Sequence, residues 1–353
     1  MQQKVFLQSY NSGVFDASSF YRMHLSENPN AMSPKIKSAI ENELRQVQFY
    51  PDPDCTLLKE SIAKHFNVKP QMILVGNGTD EVLLFIALAL LGVNKTGLTT
   101  ESTFPGYKVA TALSGANNRF IPMDNFRIPV SKLVEACKKD VDAVFVCNPH
   151  NPSGTTINYE ELQQLLIDTS AMGVIPIIDE AYADFAGDSF ASAIPFIREG
   201  GNAIVMRTFS KSHSIAGLRV GYAIGSEQLI AKIQQLRTVL PFSVNRIAQA
   251  AAIAAIDDTN SINTKWVNEV KEYFYLEMDR INIRYIRSKT NFVLIKVPGE
   301  DGLFSRRLIE EYKIITRDTT SFGYEGYIRV SMGSYEQMEY VCKAIEILVK
   351  ELR

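Results

Sequence analysis

A chain of 353 residues, 46% hydrophobic and 22% charged, has room for roughly two or three ordinary domains and the texture of a soluble globular protein. Its 37 basic and 39 acidic residues leave a formal net charge of -2 with no basic stripe, so no electrostatic grip on nucleic acid or an anionic membrane is built in, and the expected partner is a small molecule.

In chain order, residues 1–35 contain Pro29 and Pro34 and little periodicity, and read as an arm plus a strand that joins a C-terminal unit. Short apolar runs and helical segments then alternate. Met72 to Val75 precedes a helix from Asp80 to Leu91, and Val141 to Cys147 precedes a helix from Tyr159 to Ala171; Val174 to Ile178 and Ala203 to Thr208 follow. This alternation predicts an α/β fold with a mainly parallel sheet covered on both faces and ligands at the carboxyl ends of the strands. After about Asp258 the texture changes to a charged helix from Thr264 to Arg280, a strand from Phe292 to Val297, a helix near Leu303 to Tyr312, a strand around Tyr327 to Ser331 and a helix from Tyr335 to Leu352. These read as a smaller α+β unit. The expected division is therefore 1–35, 36–258 and 259–353.

Cys55, Cys137, Cys147 and Cys342 are widely spaced, which points to reduced packing residues and to neither a zinc site nor a disulfide framework. The first residues lack a signal peptide's apolar core, and the longest apolar run, Val82 to Leu91, is well short of the ~20 residues that cross a bilayer. The expectation is a cytoplasmic protein.

Four short runs carry chemistry, and each follows a strand-like segment. In Gly76-Asn77-Gly78-Thr79-Asp80-Glu81, glycines allow backbone N–H groups to turn toward an anion at a helix start; alone, the run reads first as a tight turn capped by Thr79 or Asp80. In Asn148 to Thr155, Asn151 offers an amide donor to a phenolate-type oxygen, although asparagine also suits any turn. Asp179 ends an apolar run, where an ionised carboxylate is costly unless a cation faces it or it caps the next helix; Tyr182 follows it and either contacts the same oxygen as Asn151 or simply packs. Lys211 follows Thr208 and Ser210, two hydroxyls suited to phosphate, and stands eight residues before Arg219, a cationic fork for the same group. A lysine for an aldehyde and an acid for a ring nitrogen are what pyridoxal phosphate requires.

Taken in order with Leu25-Ser26-Glu27-Asn28-Pro29, Tyr50-Pro51-Asp52-Pro53 and Tyr327-Ile328-Arg329-Val330, these runs make nearly the whole chain similar to the aspartate-aminotransferase fold, fold type I of pyridoxal-phosphate enzymes, and most of all to the histidinol-phosphate aminotransferase family. The resemblance implies a large domain on a mostly parallel seven-stranded sheet sandwiched by helices, with a smaller α+β domain from the two terminal segments. It implies a homodimer with shared active sites. It also implies that Lys211 forms a Schiff base with the cofactor, that Asp179 pairs with the pyridine nitrogen, and that Asn151 and Tyr182 contact the ring oxygen. The phosphate falls to the loop of Gly78, Thr79 and Asp80 together with Thr208, Ser210 and Arg219, and to Tyr50 reaching across from the partner subunit. Arg329 takes a substrate carboxylate, Arg317 a substrate phosphate, and Asn28 borders the substrate.

Three positions depart from the family pattern: Ser26 and His150 each replace an asparagine, and Phe104 replaces the tyrosine usually stacked on the ring; by the resemblance, the N-terminal arm and the stacking position border the substrate. The reaction so implied is amino transfer between an amine such as histidinol phosphate and 2-oxoglutarate. Decarboxylation of a phosphorylated amino acid, as in threonine-phosphate decarboxylases, and broad or aromatic amino acid transamination use the same scaffold. A nucleotide-binding module is disfavoured, because no Gly-x-Gly-x-x-Gly follows the first strand.

Overall fold

The computed structural model describes residues 19–258, 264–299 and 301–353. Most of the expected N-terminal arm, residues 1–18, and residues 259–263, where the C-terminal unit was expected to begin, lie outside the described residues.

The strands are β1 (Tyr21–Met23), β2 (Ile73–Gly76), β3 (Thr96–Thr100), β4 (Asn117–Ile121), β5 (Ala143–Cys147), β6 (Ile175–Asp179), β7 (Ile204–Thr208), β8 (Gly221–Gly225), β9 (Tyr285–Ile286), β10 (Phe292–Lys296), β11 (Ile314–Asp318) and β12 (Tyr327–Ser331). The helices are α1 (Pro34–Glu43), α2 (Thr56–Phe66), α3 (Gly78–Leu90), α4 (Gly106–Leu113), α5 (Val130–Cys137), α6 (Tyr159–Ala171), α7 (Ile194–Arg198), α8 (Glu227–Arg237), α9 (Arg246–Asp257), α10 (Lys265–Arg280), α11 (Asp301–Tyr312) and α12 (Tyr335–Leu352).

Among the described residues, seven strands form one sheet in the order β2-β8-β7-β6-β5-β3-β4, with β8 antiparallel to both neighbours and the other pairings parallel. Because side chains alternate along a strand, each strand feeds two cores. Val144, Val146, Ile178 and Val205 pack with α2, α5, α6 and α9, whereas Ala143, Phe145, Ile177, Ile204 and Met206 pack with α3, α4 and α8. Each fully buried Ile or Val contributes about 1.5–3 kcal/mol, so a sheet covered on both faces is held by its alternate residues equally. The carboxyl ends of β2, β5, β6 and β7 all lie on one edge, since these strands run the same way.

The second sheet has the order β1-β11-β12-β10-β9, in which β1 from the N-terminal segment pairs in parallel with β11. Ile328 and Val330 of β12 face a core shared with Phe274 of α10, Phe304 of α11 and Val341 of α12. The residue between them, Arg329, therefore points away from that core, toward the large sheet. No helix among the described residues is long and apolar enough to cross a membrane.

Candidate active site

At the carboxyl edge of the large sheet lies a cavity of about 550 Å³ lined by Leu25, Glu27, Thr79, Asp80, Phe104, Cys147, Asn151, Asp179, Ala181, Tyr182, Thr208, Ser210, Lys211, Ala216, Gly217, Arg219 and Arg329. It thus gathers most of the residues singled out in the sequence.

One end is built for an anion. Helix α3 starts there without a side-chain cap: Asn77, and neither Thr79 nor Asp80, is its N-cap residue, and Asn77 makes no capping hydrogen bond. The first-turn N–H groups are left for another acceptor, where the helix dipole also favours negative charge. Gly78 sits at φ +79°, and a Cβ there would lie 2.4 Å from Nη2 of Arg219, so glycine is what lets the guanidinium settle against this turn. Arg219 donates to Asp80 Oδ2 at 2.9 Å and to Ser210 Oγ at 3.4 Å, and Thr208 Oγ1 accepts from the Ser210 N–H at 3.0 Å.

The other end is built for a cation. Asp179, the last residue of β6, is buried, accepts from Tyr107 Oη at 2.6 Å and from the Ala181 N–H at 3.1 Å, and faces the negative charges of Asp80 and Glu180. Burial, the largest cause, pushes its carboxyl up to about 6 despite those two donors. A positively charged ring nitrogen would restore the ionised form.

Lys211 lines the same cavity. Its Nζ donates to the Leu25 carbonyl at 2.8 Å and lies 5.9 Å from the centre of the Tyr182 ring. Burial first, then the charge of Arg329, lower the amine to about 8, against the pull of Glu27. Such a lysine is partly neutral near physiological pH and so nucleophilic. The donor set fits pyridoxal 5'-phosphate: an anion cradle, an amine and a buried acid all line one cavity.

The small sheet supplies Arg329, which donates to Asn151 Oδ1 and, at 2.6 Å, to the His24 carbonyl, with its guanidinium 4.7 Å from the centre of the Phe292 ring. Arg317 is its direct cross-strand partner, so both arginines share one face of the sheet. His24, beside them, is held down to about 4, first by burial and then by the charges of Arg22, Arg317 and Arg329, which keeps it neutral.

Some residues expected at the site stand apart from this cavity. Gly78 lies behind its wall, against Arg219. Asn28 donates to the Ser212 carbonyl at 2.9 Å and lines an adjoining cavity of about 400 Å³ that shares Glu27, Ala216 and Gly217 with the first. Arg317 lies with its guanidinium 5.5 Å from the Phe322 ring centre. Tyr50 is 78% exposed and stacks on Phe242 at 4.6 Å, away from the cavity of its own chain.

A model of aminotransferase class I and II matches residues 22–345. The chain belongs to the class I and II aminotransferases. Among relatives in this family, histidinol-phosphate aminotransferase 2 of Carboxydothermus hydrogenoformans is 36% identical over 313 residues, covering 88% of this chain and 85% of that one. The histidinol-phosphate aminotransferase of a Geobacillus species is 36% identical over 330 residues, covering 92% of this chain and 89% of that one. The crystal structure of histidinol-phosphate aminotransferase from Sinorhizobium meliloti in complex with pyridoxal-5'-phosphate shares the aminotransferase fold, with a TM-score of 0.86 at 23% identity over 94% of this chain and 91% of that one.

Among the residues at this aminotransferase site to which sequence reading gave no role are Leu25, Glu27, Tyr107 and Cys147. Leu25 acts through its carbonyl, which no side-chain pattern reveals, and Glu27 stood unassigned within a motif already singled out. The signal for Tyr107 was its place three residues after Phe104 at a helix start, where a phenol and a ring can share one wall.

Proposed function

We propose that this aminotransferase uses pyridoxal 5'-phosphate to move the amino group of a phosphorylated amine, histidinol phosphate, to 2-oxoglutarate. The observation that carries the substrate is the placement of Arg317 directly opposite Arg329. Like charges facing each other across a strand pair are destabilising, and an anionic substrate offsets the repulsion. The names of the relatives at 36% identity support the same amine.

When bound, the cofactor supplies an aldehyde that condenses with amines and a protonated ring that accepts electron density from the substrate carbon. The chain's own groups do the rest. The first turn of α3, Arg219, Ser210 and Thr208 hold the phosphate. Asp179 keeps the ring nitrogen protonated, because a buried carboxylate and a buried cation each stabilise the charged form of the other. Asn151 and Tyr182 bound the ring oxygen. Arg329 binds the carboxylate of glutamate or 2-oxoglutarate, and Arg317 the phosphate of the amine. Lys211 Nζ would take the proton from the substrate carbon that bears the amino group and, instead of giving it back there, deliver it to the former aldehyde carbon, first as base and then as acid, a task suited to an amine held near pKa 8.

The reading includes a homodimer. Val47, Phe49, Tyr50, Val239, Leu240 and Phe242 are exposed apolar or aromatic side chains, and a second copy covering them would carry Tyr50 toward the neighbouring phosphate cradle.

A donor screen tests the proposal. Histidinol phosphate should convert the visible cofactor band to the amine form much faster than phenylalanine does, and Lys211→Ala should abolish turnover while leaving the fold intact. Release of carbon dioxide from O-phosphothreonine with no response to glutamate would refute amino transfer.

A further inference from the structure

Tyr107 is buried in the wall beside Asp179, and the transfer chemistry described so far gives it no task. Its ring is fixed on two sides, stacked on Phe145 at 5.6 Å and 10° and edge-on to Phe104 at 5.5 Å. The hydroxyl is thereby aimed at Asp179 Oδ2, 2.6 Å away, while Oδ1 takes the Ala181 N–H. Burial raises the phenol well above its ordinary value, so it stays protonated and serves as a donor to the carboxylate.

The other groups around Asp179 do not share that role. From β5 comes Cys147, a thiol pushed up to about 12 by burial and so neutral. Asp80 of α3 and Glu180, the next residue in the chain, act on it as like charges. Lys211 and Arg219 line the same cavity, but the hydrogen bonds described for them go to Leu25, Ser210, Ala216 and Asp80. Tyr107 is thus the side chain whose hydrogen bond favours the charged form of Asp179 and fixes the plane of its carboxylate.

We propose that Tyr107 is a positioning residue, which holds the Asp179 carboxylate ionised and correctly turned toward the ring nitrogen of the cofactor. The proposal rests on reading the cavity as a pyridoxal-phosphate site. Its consequence is an enzyme whose grip on the cofactor depends on a phenol that never touches the substrate.

The test uses protein stripped of cofactor and titrated with pyridoxal 5'-phosphate across pH 5 to 8. Tyr107→Phe keeps the stacked ring and removes the donor. Loss of a hydrogen bond to a charged group should weaken cofactor affinity about tenfold and move the acid limb of the affinity profile up by about one pH unit. Tyr107→His, which retains a donor, should recover most of both. Affinity within twofold of the parent and an unmoved acid limb would overturn the assignment, and so would failure of both variants to fold, which would mark Tyr107 as a packing residue. If the parent protein itself binds no pyridoxal phosphate, the site reading fails instead, so the two failures are distinct.

Discussion

Replacing Gly78 by alanine tests the anion cradle most directly. The added methyl would stand 2.4 Å from Nη2 of Arg219, closer than real Cβ contacts come, and 3.0 Å from its Cζ, at a residue whose φ is +79°. Two consequences separate. The left-handed backbone costs an alanine about 1–2 kcal/mol of stability, whatever the space around it. The guanidinium, being the end of a flexible side chain, swings away and gives up its bonds to Ser210 and Asp80. The Asp80 pair is largely exposed, so its loss changes stability by about 0–1 kcal/mol. The phosphate loses more. A charge-assisted bond contributes about 1.5–3 kcal/mol, which predicts roughly 10- to 150-fold weaker cofactor binding at about 1.4 kcal/mol per tenfold. The assay is a pyridoxal-phosphate titration of Gly78→Ala, Arg219→Ala and the double variant, with thermal unfolding run in parallel. In the Arg219→Ala background, the Gly78 substitution should cost stability alone. Unchanged cofactor affinity in a folded Gly78→Ala protein would refute the reasoning, and so would full additivity of the two affinity losses.

Glu180→Ala should be among the most destabilising single changes, by about 3–5 kcal/mol, because it leaves Arg207, Ser192 and the Ala193 N–H without their shared buried acceptor; thermal unfolding measures it. For Asp179 the pH effect has a definite sign. Its folded pKa of about 6 lies above the ordinary 3.8, so the folded cofactor-free protein binds the extra proton, and the stability this provides is full below 3.8 and lost as pH rises through 6. The melting temperature of cofactor-free Asp179→Asn should therefore gain on the parent from pH 4 to 6.5, and a constant difference would contradict it. On the proposed reading, in which Arg329 grips a substrate carboxylate with two prongs, Arg329→Lys should lower kcat/KM for 2-oxoglutarate about 100-fold, with a smaller effect on cofactor affinity. On the proposed dimer, Val239→Asp should shift the protein to monomer in light scattering and weaken cofactor binding together, because a Tyr50 supplied by a second copy would be lost.

The cavity of the large sheet was legible because many of its lining residues sit at strand ends, where a polar residue interrupts an apolar run. Asp179 closing β6 and Lys211 following β7 are such interruptions. Strands β3, β4 and β8 were harder to see: Thr96–Thr100 and Asn117–Ile121 carry too few large apolar residues, and Gly221–Gly225 is bounded by glycines. The Glu180 and Arg207 pair was illegible for another reason, since it exists only because β6 and β7 lie side by side. Tyr107 is similar, for an aromatic in a short amphipathic helix reads as packing until its hydroxyl is seen to find an acid. The small sheet gave one clear sign, the alternation of Tyr327 to Ser331 that turns Arg329 outward from its core.

The resting partners of Arg329 and Lys211 share one short stretch of main chain. The arginine donates to the carbonyl of His24, the lysine to that of Leu25, and Asn28 grips the backbone just after the lysine. An incoming anion that draws the guanidinium from His24 would loosen the same ribbon against which the amine leans. Arrival of substrate charge at one sheet would then be felt as slack at the nucleophile of the other, with the ribbon from His24 to Asn28 acting as the cord between them.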